Sequence, residues 1–107
     1  MYPSMATEFI ETPIFTRLAN WMLSREDRES VTEALAENLD AGDVIPGSGG
    51  LRKLRMPGSG RGKRGRFRVI YAIRKQGERT FLIFLFAKND TEDLTDKEYR
   101  QLAKLME

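Results

Sequence analysis

The side chains in this sequence that could do chemistry are cations. Arg52, Lys53, Arg55, Arg61, Lys63, Arg64, Arg66, Arg68, Arg74 and Lys75 put ten of the eighteen basic residues between Leu51 and Lys75, and no acidic residue stands between Asp43 and Glu78. The other eight basic residues share the rest of the chain with all sixteen acidic ones, so a formal net charge of +2 conceals a concentrated positive segment in an acidic body. Such a stripe is either a solvated hairpin or a surface for phosphate. Its density without compensating acid favours a polyanion, with nucleic acid the first partner to consider. Guanidinium suits that task because it binds phosphate oxygens in pairs and stays protonated. A lysine crowded by other cations is a residue type that can act as acid or base near neutrality, which makes Lys53, Lys63 and Lys88 candidates. The chain has neither cysteine nor histidine. Serine or cysteine triads, imidazole acid–base chemistry and the usual zinc sites are thereby excluded, and neither a metal nor a cofactor is expected.

The elements that must position these cations follow from spacing. A chain of 107 residues is expected to be one domain, with residues 1–6 a loose lead. No apolar run is long enough to span a membrane and the start does not resemble an export signal, so a cytoplasmic protein is expected. Residues 7–11 read as a short strand. Thr12 and Pro13 start a helix, in which Ile14, Phe15, Leu18, Trp21 and Met22 repeat at helical spacing and are predicted core. Ser24 with Asp27 caps a second helix, predicted to run to about Asp40 with Gly42 as its C-terminal cap; Val31, Leu35 and Leu39 face inward, and Glu29, Glu33 and Glu37 outward. Residues 51–56 are a strand with Leu54 and Met56 on one face and Lys53 and Arg55 on the other. The turn 57–65, rich in glycine, mounts Arg61, Lys63 and Arg64, but it lacks the Walker-loop spacing. Residues 66–74 form the next strand, with Arg68 opposite the face of Phe67, Val69 and Tyr71. Tyr71 is predicted core, its hydroxyl hydrogen-bonded. Residues 80–87, apolar at nearly every position, read as a central strand covered on both faces. Thr95 and Glu98 cap a final helix with Tyr99, Leu102, Leu105 and Met106 as its apolar stripe. The fold class is α+β: a small antiparallel sheet with two N-terminal helices packed on it and a C-terminal helix.

Gly-Gly-Leu-Arg-Lys-Leu-Arg at 49–55, Gly-Lys-Arg-Gly at 62–65, Arg-Val-Ile-Tyr at 68–71 and Ala-Lys-Asn-Asp at 87–90, taken with this order of elements, resemble the RelE/HigB toxins of bacterial type II toxin–antitoxin modules. The resemblance is close to the HigB branch and covers nearly the whole chain from Phe9. It implies a ribosome-dependent mRNA endonuclease that attacks with the RNA's own 2′-hydroxyl, leaving a 2′,3′-cyclic phosphate. By the family pattern Lys53 and Arg55 alternate along the strand before the loop, Arg68 supports the scissile phosphate and Lys88 is the basic residue after the apolar strand. These four are the catalytic candidates. Asn89 stands where the pattern has an arginine. Arg52, Arg61, Lys63, Arg64, Arg66 and Asn89 are candidates for holding RNA or the ribosome, and Tyr99 is a possible catalytic residue, offset from the tyrosine of some members. The implied partners are a cognate antitoxin of helix-turn-helix, HigA-like type, the ribosomal A site with its mRNA, and operator DNA through the antitoxin alone; no membrane is involved. Two other readings stay open, a gyrase inhibitor of the related ParE type and a non-catalytic nucleic-acid-binding module, since phosphate contacts alone would select the same arginines.

Overall fold

The computed structural model describes residues 6–58 and 65–106. Strand β1 (Glu8–Glu11) leads into helix α1 (Pro13–Met22) and helix α2 (Arg25–Glu37), followed by β2 (Asp43–Val44), β3 (Arg52–Met56), β4 (Phe67–Arg74), β5 (Arg79–Ala87) and helix α3 (Asp96–Lys104). The five strands form one sheet in the order β1-β5-β4-β3-β2. All three helix starts use the predicted caps. Thr12 accepts from the Phe15 N–H, while Ser24 with Asp27 and Thr95 with Glu98 close reciprocal capping boxes.

Alternation along the strands divides the core in two. Leu54, Met56, Phe67, Val69, Tyr71, Leu82 and Leu85 pack under α1 and α2 with Phe15, Ala19, Val31 and Leu35. On the other face Ile70, Ala72, Ile83 and Phe86, with the half-buried Phe81 and Phe84, pack beneath Tyr99, Leu102 and Ala103 of α3. Strand β5 is thus a central strand covered on both faces. A register shift between Ile70 and Tyr71 leaves Ile83 as an extra residue opposite β4, so Ile83 and Phe84 both serve the α3 side. No helix among the described residues is long and apolar enough to cross a membrane.

Four expectations are corrected. The sheet is mixed, because β1 runs parallel to β5 with Phe9 beside Thr80; the Glu8 N–H donates to Glu78 O (2.8 Å), the Thr12 N–H to Leu82 O (3.0 Å), and Thr7 and Thr80 share a hydroxyl bond of 2.8 Å. Trp21 is 68% exposed. The inward face of α1 centres on Phe15 and Ala19, and at ~100° per residue Trp21 points well away from it. Helix α2 ends at Glu37 rather than Asp40, because the Asn38 side chain accepts from the Asp40 N–H (3.0 Å) and turns the chain. Gly42 is therefore not the helix cap. It is glycine because an added Cβ would lie 2.6 Å from Tyr71 Cε1 and 2.9 Å from Lys53 O. The fully buried Tyr71 accepts from the Gly42 N–H (2.9 Å) and donates to Leu39 O (2.7 Å), tying the end of α2 to the sheet.

Candidate nucleic-acid interface

Strands β3 and β4 pair so that Arg55 stands directly opposite Arg68, with Lys53 opposite Ile70. Alternation puts all three cations on the side of the sheet that carries α3. Like charges facing one another across a ladder destabilise it, and an anion between them relieves the cost. Among the described residues Arg55 makes no side-chain hydrogen bond or ion pair, and Arg68 donates only to the carbonyl of its neighbour Phe67 (3.2 Å). Further along, the Lys88 N–H donates to Arg66 O (3.1 Å), so these two exposed residues extend the cationic row where β5 ends and β4 begins. Asn89 follows, also exposed. Pro57 and Gly58 lead away from β3, and Gly58, at φ +76°, sits so close to Gly65 that a Cβ would lie 2.0 Å from its carbonyl oxygen. The base of this turn is pinched, which sets β3 beside β4 in the register that opposes the two arginines. Arg61, Lys63 and Arg64 lie outside the described residues.

Not every cation of the stripe joins this face. Arg52 points to the other side, bonded to Gly42 O (2.7 Å) and ion-paired with Asp40 (3.0 Å), and braces the α2–β2 connection. Arg74 and Lys75 lie at the opposite end of β4, next to the turn into β5. Lys53 belongs to the face but is held by Asp93, with Nζ 2.9 Å from Oδ2 and 5.9 Å from the centre of the Tyr99 ring. The group that meets the Lys53 ammonium is thus a carboxylate rather than another cation.

Asp93 was not visible in the sequence as a site residue. Its carboxylate accepts from Lys53, from the Tyr99 hydroxyl and from the Leu94 N–H (2.8 Å), so both oxygens are engaged. Burial pushes its pKa upward, but the hydrogen bonds from Tyr99, Lys53 and Leu94, with the charge of Lys53, outweigh burial and leave it below the ordinary carboxylate value. Burial, and then the bond to Asp93 and its charge, push the Tyr99 phenol well above its ordinary value. Tyr99, only 4% exposed, is a fixed donor to Asp93.

Beside Arg55 opens a cleft of about 460 Å³ between the β2–β3 edge and the start of α3. Residues 43–47 form one wall, Leu94, Asp96, Tyr99 and Arg100 the other, with Lys53, Arg55 and Asp93 between them. The first wall is shaped by Ser48, whose hydroxyl bonds Ile45 O (2.5 Å) and accepts from the Leu51 N–H (3.0 Å). Arg100 is a further cation that the sequence did not point to, since it lies far from the basic stripe. Among the described residues no group of histidine, cysteine and carboxylate side chains is arranged to hold a metal ion.

The chain is thus a three-helix α+β protein with cations gathered on one face of a five-stranded sheet. The family model described as the RelE toxin of the RelE / RelB toxin–antitoxin system matches residues 12–107, and the chain belongs to that family. It is a toxin of a toxin–antitoxin system, and an antitoxin is its partner. Among solved structures it is similar to the E. coli toxin RelE, in the free state of a double arginine-to-alanine mutant, at 15% identity and a TM-score of 0.61, covering 95% of this chain and 98% of that one. At that identity the likeness speaks for the fold.

Proposed function

We propose that this toxin is a metal-independent, ribosome-dependent endonuclease of mRNA, closest to the HigB branch, acting in the cytoplasm. The observation that carries the reading is the Arg55–Arg68 pair, two arginines in register on the same face of β3 and β4 with no carboxylate partner among the described residues. In the proposed reaction the 2′-hydroxyl attacks the adjacent phosphorus, its proton leaving to water or a ribosomal group. Arg55 and Arg68 hold the phosphorane oxygens. The P–O5′ bond breaks, and the 5′-oxygen takes a proton from Lys53, whose ammonium is steadied by Asp93. Products are a 2′,3′-cyclic phosphate and a 5′-hydroxyl. Tyr99, with its proton committed to Asp93, is a positioning residue. Lys88, Arg66 and Asn89 extend the contact to a neighbouring phosphate or to ribosomal RNA, and Arg61, Lys63 and Arg64 do the same from the turn. Arg52, engaged elsewhere, is left out of the contact.

The antitoxin, of HigA-like helix-turn-helix type and itself the contact to operator DNA, inhibits in this reading by covering α1 and blocking ribosome entry. Ile14 and Trp21 on that helix are exposed apolar side chains, and such residues give more area to bury than a cationic strand does. Hydrogen exchange on the toxin–antitoxin complex checks this: protection of residues 52–56 and 67–70 instead of α1 would replace exclusion by plugging. The nuclease reading is tested by inducing the toxin and mapping mRNA 5′ ends. Cuts phased with the reading frame are expected; intact messages with stalled replication and inhibited supercoiling would favour a gyrase inhibitor.

A further inference from the structure

The cleft beside Arg55 has features that phosphate binding leaves unused. Its volume of about 460 Å³ lies within the ~300–1,000 Å³ typical of sites for a small organic group. Val44, Ile45, Pro46 and Leu94 give it apolar walls, and Val44 is 56% exposed there although it is a large apolar side chain. Asp43 and Asp96 stand on its rim, both exposed, and among the described residues neither carboxylate makes a side-chain hydrogen bond or ion pair. The lining sets Asp43, Asp93 and Asp96 against Lys53, Arg55 and Arg100, so the cleft carries no net charge and suits an uncharged ring better than a phosphate. Arg55 borders both the cleft and the cationic row, so a phosphate on Arg55 and Arg68 brings the uncharged part of an adjoining nucleotide to the cleft mouth.

Resting on the reading that these arginines hold the scissile phosphate, we propose that the cleft seats the base of one nucleotide flanking the cut. Asp43 and Asp96 select a base that carries an exocyclic amino group. The flat ring covers Val44 and Leu94, as single-stranded RNA bases commonly cover apolar and aromatic side chains, while its edge meets the carboxylates. Adenine, cytosine and guanine offer an amino donor to a carboxylate. Uracil lacks an exocyclic amino group: its single N3–H donor is flanked by the O2 and O4 carbonyls, which face the carboxylate oxygens as unpaired acceptors and weaken the contact.

The test uses purified toxin on ribosomes programmed with messages that differ only in the base on each side of the cut. Initial cleavage rates are compared for the wild type, Asp43→Ala, Asp96→Ala and the double variant. At one of the two flanking positions the wild type is expected to cut amino-bearing bases on the order of tenfold faster than uracil. The double variant is expected to bring that ratio near unity by slowing cleavage at the amino-bearing sites. A wild-type enzyme that cuts without preference at either position, or a preference that survives in the double variant, overturns base seating and leaves the nuclease reading in place. A wild-type toxin that cuts none of the messages overturns the nuclease reading and base seating with it.

Discussion

The sheet face beneath α3 consists of two regions that share strands and differ in what completes them. At one end Ile70, Ala72, Phe81 and Phe84 are covered by Tyr99, Leu102 and Ala103 of α3. At the other, Arg55 and Arg68 oppose one another with no covering element among the described residues. The first region is satisfied within the molecule and gains free energy by excluding water. The second keeps two like charges adjacent, an arrangement that costs stability until an anion arrives. Asp93 marks the boundary, since it holds Lys53 of the cationic end and Tyr99 of the apolar end with one carboxylate. In the proposed reading the difference separates residues that hold the fold from residues kept for a partner.

The comparison breaks most visibly through the bare end. Arg55→Ala and Arg68→Ala should each lower cleavage by about 10²- to 10³-fold, as loss of a preorganised donor to developing charge does. Thermal melts should show no loss of stability, and full toxicity of either folded variant would remove that residue from the site. Next in size is Gly42→Ala, at the edge of the separate core under α1 and α2 to which Tyr71 belongs. Its Cβ would meet Tyr71 and the Lys53 carbonyl, so a loss of about 1–3 kcal/mol is expected in denaturant titration.

Asp93→Asn tests the boundary. Lys53 and Tyr99 lose a common anchor, and a cost of about 1 kcal/mol is expected, kept small because half of the Asp93 side chain is exposed. Since the folded pKa of Asp93 is depressed, its contribution is present above the unfolded value of ~3.9 and is lost as pH falls through the folded value. The gap in melting temperature between wild type and variant should therefore close on acidification. A gap that stays constant to low pH would show that the carboxylate's charge is not what anchors Lys53. The smallest effect belongs to Arg52→Ala, at about 0.5–1 kcal/mol of stability, with cleavage retained. If that variant instead lost cleavage, Arg52 would rejoin the RNA contact.

Short-range interactions were legible in the sequence. The caps at Thr12, Ser24 and Thr95 are bonds across three residues, and the alternation of residues 52–56 and 67–73 fixes which side chains share a face whatever lies beyond them. The charge of the stripe, the absence of histidine and cysteine and the α+β order of elements were likewise read from residue types and spacing, and the family from the resemblance of four short motifs. What required the tertiary structure are contacts between residues far apart in the chain. The parallel course of β1 depends on how α1 carries the chain back across the sheet. The exposure of Trp21 depends on which flank of α1 meets β5. Lys53 and Asp93 are 40 residues apart and no local spacing announces their pairing. The cleft exists because residues 43–47 and the start of α3 meet across β3. Helix periods and strand alternation specify a side chain's direction relative to its own backbone; only the packing of one element on another specifies what that side chain faces.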